Sequence, residues 1–187
     1  MISVLIPVYN GERYIERALG SVLAQTHKPD EIIVLDDGST DTTADIVRAY
    51  NEVRLIQQPN QGIGPSRRRL VEEAKGDWIA FLDHDDFWLP EKLEEQIPST
   101  LQDRVGLIHT RDVFFYEEDP AQRATTGTWQ PPNEPTALDH VLPDCRINMS
   151  SVLVRKQAIL EAGNFDGAVS KAEDWLMWLR LAAKWDF

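Results

Sequence analysis

The stretch "ISVLIPVYNGERYIERALGSVLAQTHKPDEIIVLDD", residues 2–37, decides the fold class. Its opening run, "ISVLIPV", is short, apolar and rich in β-branched residues, the pattern of a strand buried on both faces. After Asn10-Gly11 the apolar residues Tyr14, Ile15, Ala18, Leu19, Val22 and Leu23 recur in pairs four apart, the period of an amphipathic helix. "EIIVLDD", residues 31–37, is a second buried strand. A strand, a helix and a strand in this order predict a right-handed crossover between parallel neighbours.

Working outward, "GSTDTTADIVRAY" supplies a turn, capping side chains and a second helix. "VRLIQQ" reads as a third strand, "GPSRRRLVEEAKG" as a helix that stops at Gly76, and "DWIAFLD" as a fourth strand. The alternation predicts an α/β fold: a Rossmann-like, mostly parallel central sheet with helices on both faces. Beyond residue 90 the pattern loosens. Pro90 suits the first turn of a helix "PEKLEEQI", and "VGLIHTRDVFFYEE" suits one or two strands. Residues 119–135, rich in Pro, Gly and Thr, read as a long loop or lid. "MSSVLVRK" is a further strand, "KQAILEAG" a helix, and "AEDWLMWLRLAAK" a strong one.

The 187 residues fit one domain, with 42% hydrophobic and 27% charged side chains, a globular balance. A net charge of −12 argues against a nucleic-acid surface. Cys145 is the only cysteine, so an internal disulfide is excluded. No apolar run is long enough to span a bilayer. The start "MISVLIPVYN" has no basic stretch and no small-residue cleavage site, so the expectation is a cytoplasmic chain without a signal peptide.

In an open parallel sheet, ligands bind outside the carboxyl ends of the strands. Three clusters fall there: Pro7-Val8-Tyr9-Asn10, Asp36-Asp37-Gly38-Ser39, and Asp83-His84-Asp85-Asp86. Each alone has an ordinary explanation as turn former or helix cap. Together they line one rim. Oxygen-rich clusters suit hard divalent cations, and Mg²⁺ takes one or two carboxylates and completes its shell with water and phosphates. Asp83 and Asp85 could divide that work between a sugar hydroxyl and a metal. His84, between them on an extended backbone, should point elsewhere. Neither GxxxxGK[ST] nor GxGxxG occurs, so a metal would have to hold the phosphates in place of a glycine-rich loop.

Glu173-Asp174 heads the Trp-rich helix, where acids favour the helix dipole in any case; the functional reading is a general base facing the acidic rim. Of Arg67-Arg68-Arg69 only one or two can face the rim, and Arg67 or Arg68 is a candidate contact for a diphosphate or base. Trp175, Trp178 and Leu179 at helical spacing suit a core, with stacking on a sugar face the alternative for an exposed tryptophan.

The blocks "VLIPVYNGERYIERALGSVLAQTHKPDEIIVLDDGSTDTT", "FLDHDDFWLP" and "EDWLMWLRLA" stand in an order and spacing that resemble a family 2 glycosyltransferase. The resemblance runs from Ile2 to the end of the chain. It implies the GT-A fold and an inverting transfer of a sugar from a nucleotide-diphospho-sugar, with a UDP-sugar the expected donor, to an acceptor hydroxyl. It further implies dependence on Mn²⁺ or Mg²⁺. By position, Pro7, Tyr9, Asp36 and Asp37 match the pocket for nucleobase and ribose, with Asp37 nearer the base. Asp83-His84-Asp85 matches the DxD motif: Asp85 would coordinate the metal, with Asp83 beside it and next to the ribose and donor sugar. Asp174 matches the catalytic base, with Glu173 beside it. Residues 1–100 would be the nucleotide-sugar-binding half and 101–187 the acceptor-side half. Family members continue past the "ED" helix, so the resemblance implies either a fragment truncated there or a natural minimal domain. The acceptor is left open among saccharides, lipid-linked sugars and proteins, as is peripheral association with a membrane's inner face. Cell-envelope polysaccharide synthesis is the expected setting. Two other readings stand beside it: a non-catalytic nucleotide-sugar-binding module, and a sugar nucleotidyltransferase, whose glycine-rich basic opening loop "PVYNGERY" lacks.

Overall fold

The computed structural model describes residues 1–116, 119–125, 136–141, 147–167 and 172–187. In chain order the first half runs β1 (Ile2–Val8), α1 (Ile15–Leu23), β2 (Glu31–Asp36), α2 (Thr43–Arg48), β3 (Val53–Gln57), α3 (Ile63–Glu73) and β4 (Trp78–Phe81). It continues through α4 (Lys92–Gln96), β5 (Leu107–His109), β6 (Val113–Tyr116), β7 (Asp119–Thr125) and α5 (Ala137–Val141). A 3-10 turn at Met149–Ser151, β8 (Val152–Arg155), α6 (Lys156–Glu161) and α7 (Glu173–Ala182) complete it.

Six strands form one sheet in the order β3-β2-β1-β4-β8-β5. β3, β2, β1 and β4 are parallel, whereas β8 is antiparallel to both β4 and β5. Every residue of β1 and β4 is buried, as a strand covered on both faces requires. Alternate residues feed opposite cores. Leu5, Ile33, Leu35, Ile79 and Phe81 pack with Leu70 and Val71 of α3, Ile159 of α6 and Met177, Trp178 and Leu181 of α7. Val4, Ile6, Val34 and Ala80 pack instead with Ile15, Leu19 and Val22 of α1, Val47 of α2 and Leu93 of α4. Trp178 is fully buried and its indole Nε1 donates to the Ile147 carbonyl at 3.2 Å, a core role as the helical spacing predicts.

Three local expectations are corrected. α3 ends at Glu73, with Ala74 already extended, so Gly76 is not its stop signal. Gly76 is needed for close approach: its N–H donates to Ser3 Oγ at 2.8 Å, and a Cβ there would lie 2.7 Å from the Ser3 backbone nitrogen. The helix after Pro90 begins at Lys92: the Leu89 carbonyl closes a turn by accepting from Lys92 N (3.2 Å) while also taking Gln25 Nε2 (2.7 Å), and the Pro90 carbonyl accepts from Thr26 N (2.9 Å). Residues 119–125, read as loop, form β7, antiparallel to β6. Main-chain pairing builds this two-stranded ribbon without an apolar alternation, and each of its strands keeps an edge where a proline is tolerated. The rest of the expected lid, 126–135, lies outside the described residues.

Lys92 of α4 is buried against the second core. Its Nζ donates to Gln96 Oε1 at 2.7 Å and the Val152 carbonyl at 3.4 Å, and lies 4.3 Å from the Trp88 ring centroid. Burial pushes its pKa down to about 7, while the indole face and the two oxygens favour the charged form and oppose that shift. An unfolded lysine titrates near 10.4, so between about pH 7 and 10 the unfolded chain holds a proton that the folded chain has released. This group therefore weakens the fold fully below the lower value and ceases to do so above the upper one. The unfolding free energy of wild type minus that of Lys92→Met is expected to be flat below about pH 6 and to climb between about pH 7 and 10. Urea titrations that give a pH-independent difference would show that Lys92 keeps its ordinary pKa.

Candidate active site

Because β1 and β2 are parallel with Val8 opposite Asp36, and Leu5 lies opposite Phe81 of β4, the three strands deliver their following residues to one rim. Pro7 is buried within β1, while Tyr9, one residue past the strand, is 48% exposed at the rim. Asp36 and Asp37 are both buried. Asp36 accepts from Ser39 N at 2.9 Å and Gln57 Nε2 at 3.0 Å. Asp37 accepts from Gln58 Nε2 (2.8 Å), Gln61 N (2.9 Å) and Gly62 N (2.8 Å). Asp37 thus folds the 58–62 loop back onto the start of α3, where Gly62 has a φ of 91° that an L side chain rarely adopts. The turn-forming role is real for both acids, and it leaves Asp37 roughly one of its four acceptor directions.

The acidic turn after β4 is held by a residue to which the sequence pointed no role. Ser150 Oγ accepts from Asp83 N at 3.0 Å and donates to Asp86 Oδ2 at 2.6 Å. The Ser150 carbonyl accepts from Trp88 Nε1 at 2.7 Å. Burial pushes the Asp86 carboxyl up; the Ser150 hydroxyl works against this, and Asp83, Asp85 and Asp112 add to it. Asp85 is exposed, and among the described residues its carboxylate has no hydrogen-bond or ion-pair partner; only its backbone carbonyl is engaged, by Arg17 at 2.9 Å. His84 sits in a turn with Asp85 and not on an extended backbone, and its ring lies against Gly11, where an added Cβ would meet it at 2.7 Å.

Of the three consecutive arginines one faces the rim. Arg68 pairs with Glu72 on the surface and Arg69 donates to Gln58 Oε1. Arg67 is 5% exposed and forks between two carboxylates: one terminal nitrogen donates to Asp83 Oδ1 at 2.7 Å, the other to Glu173 Oε1. It therefore reaches the rim through Asp83. Glu173 and Asp174 open α7, and Asp174 Oδ1 accepts from Trp175 N at 2.7 Å. The fold so gathers the ends of β1, β2 and β4 and the start of α7. The pairing partners Ser150 and Glu173 are 67 and 106 residues from Asp83 and Arg67, a separation that no local pattern reveals.

Among the described residues no group of three or more His, Cys, Asp or Glu side chains forms a ready-made metal cage. The donor set that exists, an unpartnered Asp85 beside a partly engaged Asp83, fits a hard divalent cation whose remaining ligands come from water and substrate phosphate. No helix of the described residues is long and apolar enough to cross a membrane.

Ser150→Ala removes the acceptor of Asp83 N and the donor to Asp86. It is expected to lower the unfolding free energy by about 1–3 kcal/mol in urea titrations, the cost of buried polar groups left unmatched. No change in the midpoint would show that water takes over both bonds.

The chain matches the family model described as Glycosyl transferase family 2 over residues 3–163. An Escherichia coli protein named UDP-Glc:alpha-D-GlcNAc-diphosphoundecaprenol beta-1,3-glucosyltransferase WfaP is 31% identical over 187 residues, covering 98% of this chain and 71% of its own. An uncharacterized glycosyltransferase of Nostoc sp. is 41% identical over 132 residues, 67% of this chain and 41% of that one. Among solved structures, S. aureus TarS in complex with UDP-GlcNAc matches with a TM-score of 0.71 at 25% identity, over 98% of this chain and 53% of that one. Mannosyltransferase PcManGT from Pyrobaculum calidifontis, in complex with GDP-Man and Mn²⁺, matches with a TM-score of 0.75 at 18% identity, over 99% and 53% of the two chains, a likeness of fold alone. The chain thus spans 53% of each of these two structures and 41% of the Nostoc relative. Its mostly parallel sheet is the GT-A fold of these enzymes, and the chain belongs to glycosyltransferase family 2.

Proposed function

We propose that this domain is an inverting, metal-dependent glycosyltransferase that moves a sugar from a UDP-sugar to an acceptor hydroxyl. The observation that carries the proposal is that the ends of β2 and β4, with Asp36, Asp37, Asp83 and Asp85, open on one rim of the sheet and that Arg67 ties Glu173, the neighbour of Asp174, to Asp83. Residues 1–100 are assigned to the nucleotide-sugar and 101–187 to the acceptor. Pro7, Tyr9, Asp36 and Asp37 form the base and ribose side, with the last acceptor direction of Asp37 available to a base N–H. Asp83, with Arg67 behind it, borders the ribose and the donor sugar. TarS was solved with UDP-GlcNAc, which supports a nucleotide-sugar at this rim.

Asp85, with Asp83, would hold Mn²⁺ or Mg²⁺; PcManGT, of the same fold, was solved with Mn²⁺. When bound, such a cation supplies charge stabilisation to the departing diphosphate. Asp174 acts as general base: its free carboxylate oxygen takes the proton of the acceptor hydroxyl. The acceptor oxygen bonds to the anomeric carbon from the face opposite the diphosphate. The bond to the diphosphate oxygen breaks with its electron pair on that oxygen, and a single displacement inverts the carbon. The E. coli relative's name specifies a diphosphoundecaprenol-linked acceptor. A lipid-linked acceptor here would bring the domain to the inner face of a membrane without a spanning helix.

Calorimetric titration with UDP is expected to show binding that needs Mn²⁺ and that weakens about tenfold or more in Asp85→Ala, consistent with loss of a metal-held diphosphate. Equal affinity with and without the metal would remove the metal from the reading. Binding of UDP-sugar without hydrolysis or transfer would instead favour a nucleotide-sugar-binding module.

A further inference from the structure

Arg67 lies on the buried face of α3 with Gly64, Ser66, Leu70 and Val71, so its guanidinium emerges at the rim from the inside of the domain. A buried guanidinium is tolerated only when its charge is matched, and here the match comes from both sides of the site. One partner, Asp83, follows β4; the other, Glu173, is the first residue of α7. The third nitrogen, Nε, is buried and has no partner among the described residues, where the hydrogen bonds of Arg67 go to these two carboxylates.

The start of α7 has one other side-chain tie to a neighbouring element among the described residues, Trp175 Nε1 to the Val141 carbonyl of α5 at 2.8 Å. Its N-cap, Ala172, has φ 57° and ψ 33°, the left-handed region, and offers no side-chain cap, so among the described residues the one side-chain bond to a first-turn N–H is that of Asp174 to Trp175 N. Consecutive helical residues project about 100° apart, so Glu173 and Asp174 face different directions. Glu173 points to Arg67. Asp174 holds one oxygen on Trp175 N and keeps the other without a partner among the described residues.

We propose that Arg67 is a positioning residue that clamps Glu173 to Asp83, and so sets the reach from the acidic end of β4 to Asp174. The two acids of the pair then have separate work. Glu173 is the handle by which α7 is held, and Asp174 alone receives the acceptor proton. The clamp rests on the functional reading above for its catalytic consequence, while the tether of α7 does not.

The test compares Arg67→Gln, Arg67→Lys, Glu173→Gln and the Arg67→Gln/Glu173→Gln double variant with wild type. Three readings are taken: UDP affinity with Mn²⁺ by calorimetry, steady-state UDP-sugar turnover (hydrolysis or transfer), and amide exchange at Leu176–Trp178 by mass spectrometry. In Arg67→Gln, UDP affinity is expected to stay within about threefold and kcat to fall about tenfold or more at unchanged donor KM, the signature of lost alignment. Amides 176–178 should exchange faster. Glu173→Gln should reproduce both effects, the double variant should be no worse than either single one, and Arg67→Lys should recover part of kcat. A fall of about tenfold or more in UDP affinity with exchange unchanged would make Arg67 a ligand contact and overturn the proposal. So would unchanged kcat together with unchanged exchange. If wild type binds no UDP and turns over no donor, the functional reading fails. The exchange arm then decides the clamp by itself.

Discussion

β1, β2 and β4 are parallel and in a register that places Val8 opposite Asp36 and Leu5 opposite Phe81, so their next residues all emerge at one rim. This constraint brings carboxylates together, and carboxylates at short range repel. The domain answers with donors held inside the protein. Asp37 takes two backbone N–H groups and a glutamine, Asp86 takes the Ser150 hydroxyl, and Asp83 takes Arg67. Asp85 stands outside this scheme, exposed and unmatched among the described residues.

The chain carries a charge of −12, yet two of its cations are buried on opposite sides of the same turn. Arg67 approaches Asp83 from the α3 face. Lys92 lies under Trp88 on the α4 face. Ser150 joins the two, bonded to Asp83, Asp86 and Trp88. A satisfied network of this kind makes a rigid support, and changes within it do not add independently. The acidic turn is thus shaped from behind, so that its front can remain open to solvent.

β8 is what makes the two halves of the chain one structure. It inserts between β4 and β5 with reversed direction, and the 3-10 turn that precedes it carries Ser150 to the end of β4. α7 then crosses the first core, with Met177, Trp178 and Leu181 under the sheet, and its first residue meets Arg67. Residues far along the chain therefore complete a rim whose strand-end acids come from the first half.

Strand and helix identities in residues 2–90 were legible because each is written in a local period: continuous apolar runs for the buried strands, pairs four apart for α1. The acids at the strand ends were legible too, since a parallel sheet puts strand ends on one rim wherever the chain goes next. Other features depended on side chains meeting across space. Gly76 looked like a helix stop, but its missing Cβ serves a contact with Ser3. Residues 119–125 looked like loop, but main-chain pairing, blind to apolar pattern, makes them a strand. Which of three adjacent arginines turns inward, and that Ser150 holds the acidic turn, followed from the packing of α3, β8 and α7 alone. Local patterns determine what each segment is; burial decides which charges must find one another, and those partners lie 67 and 106 residues away.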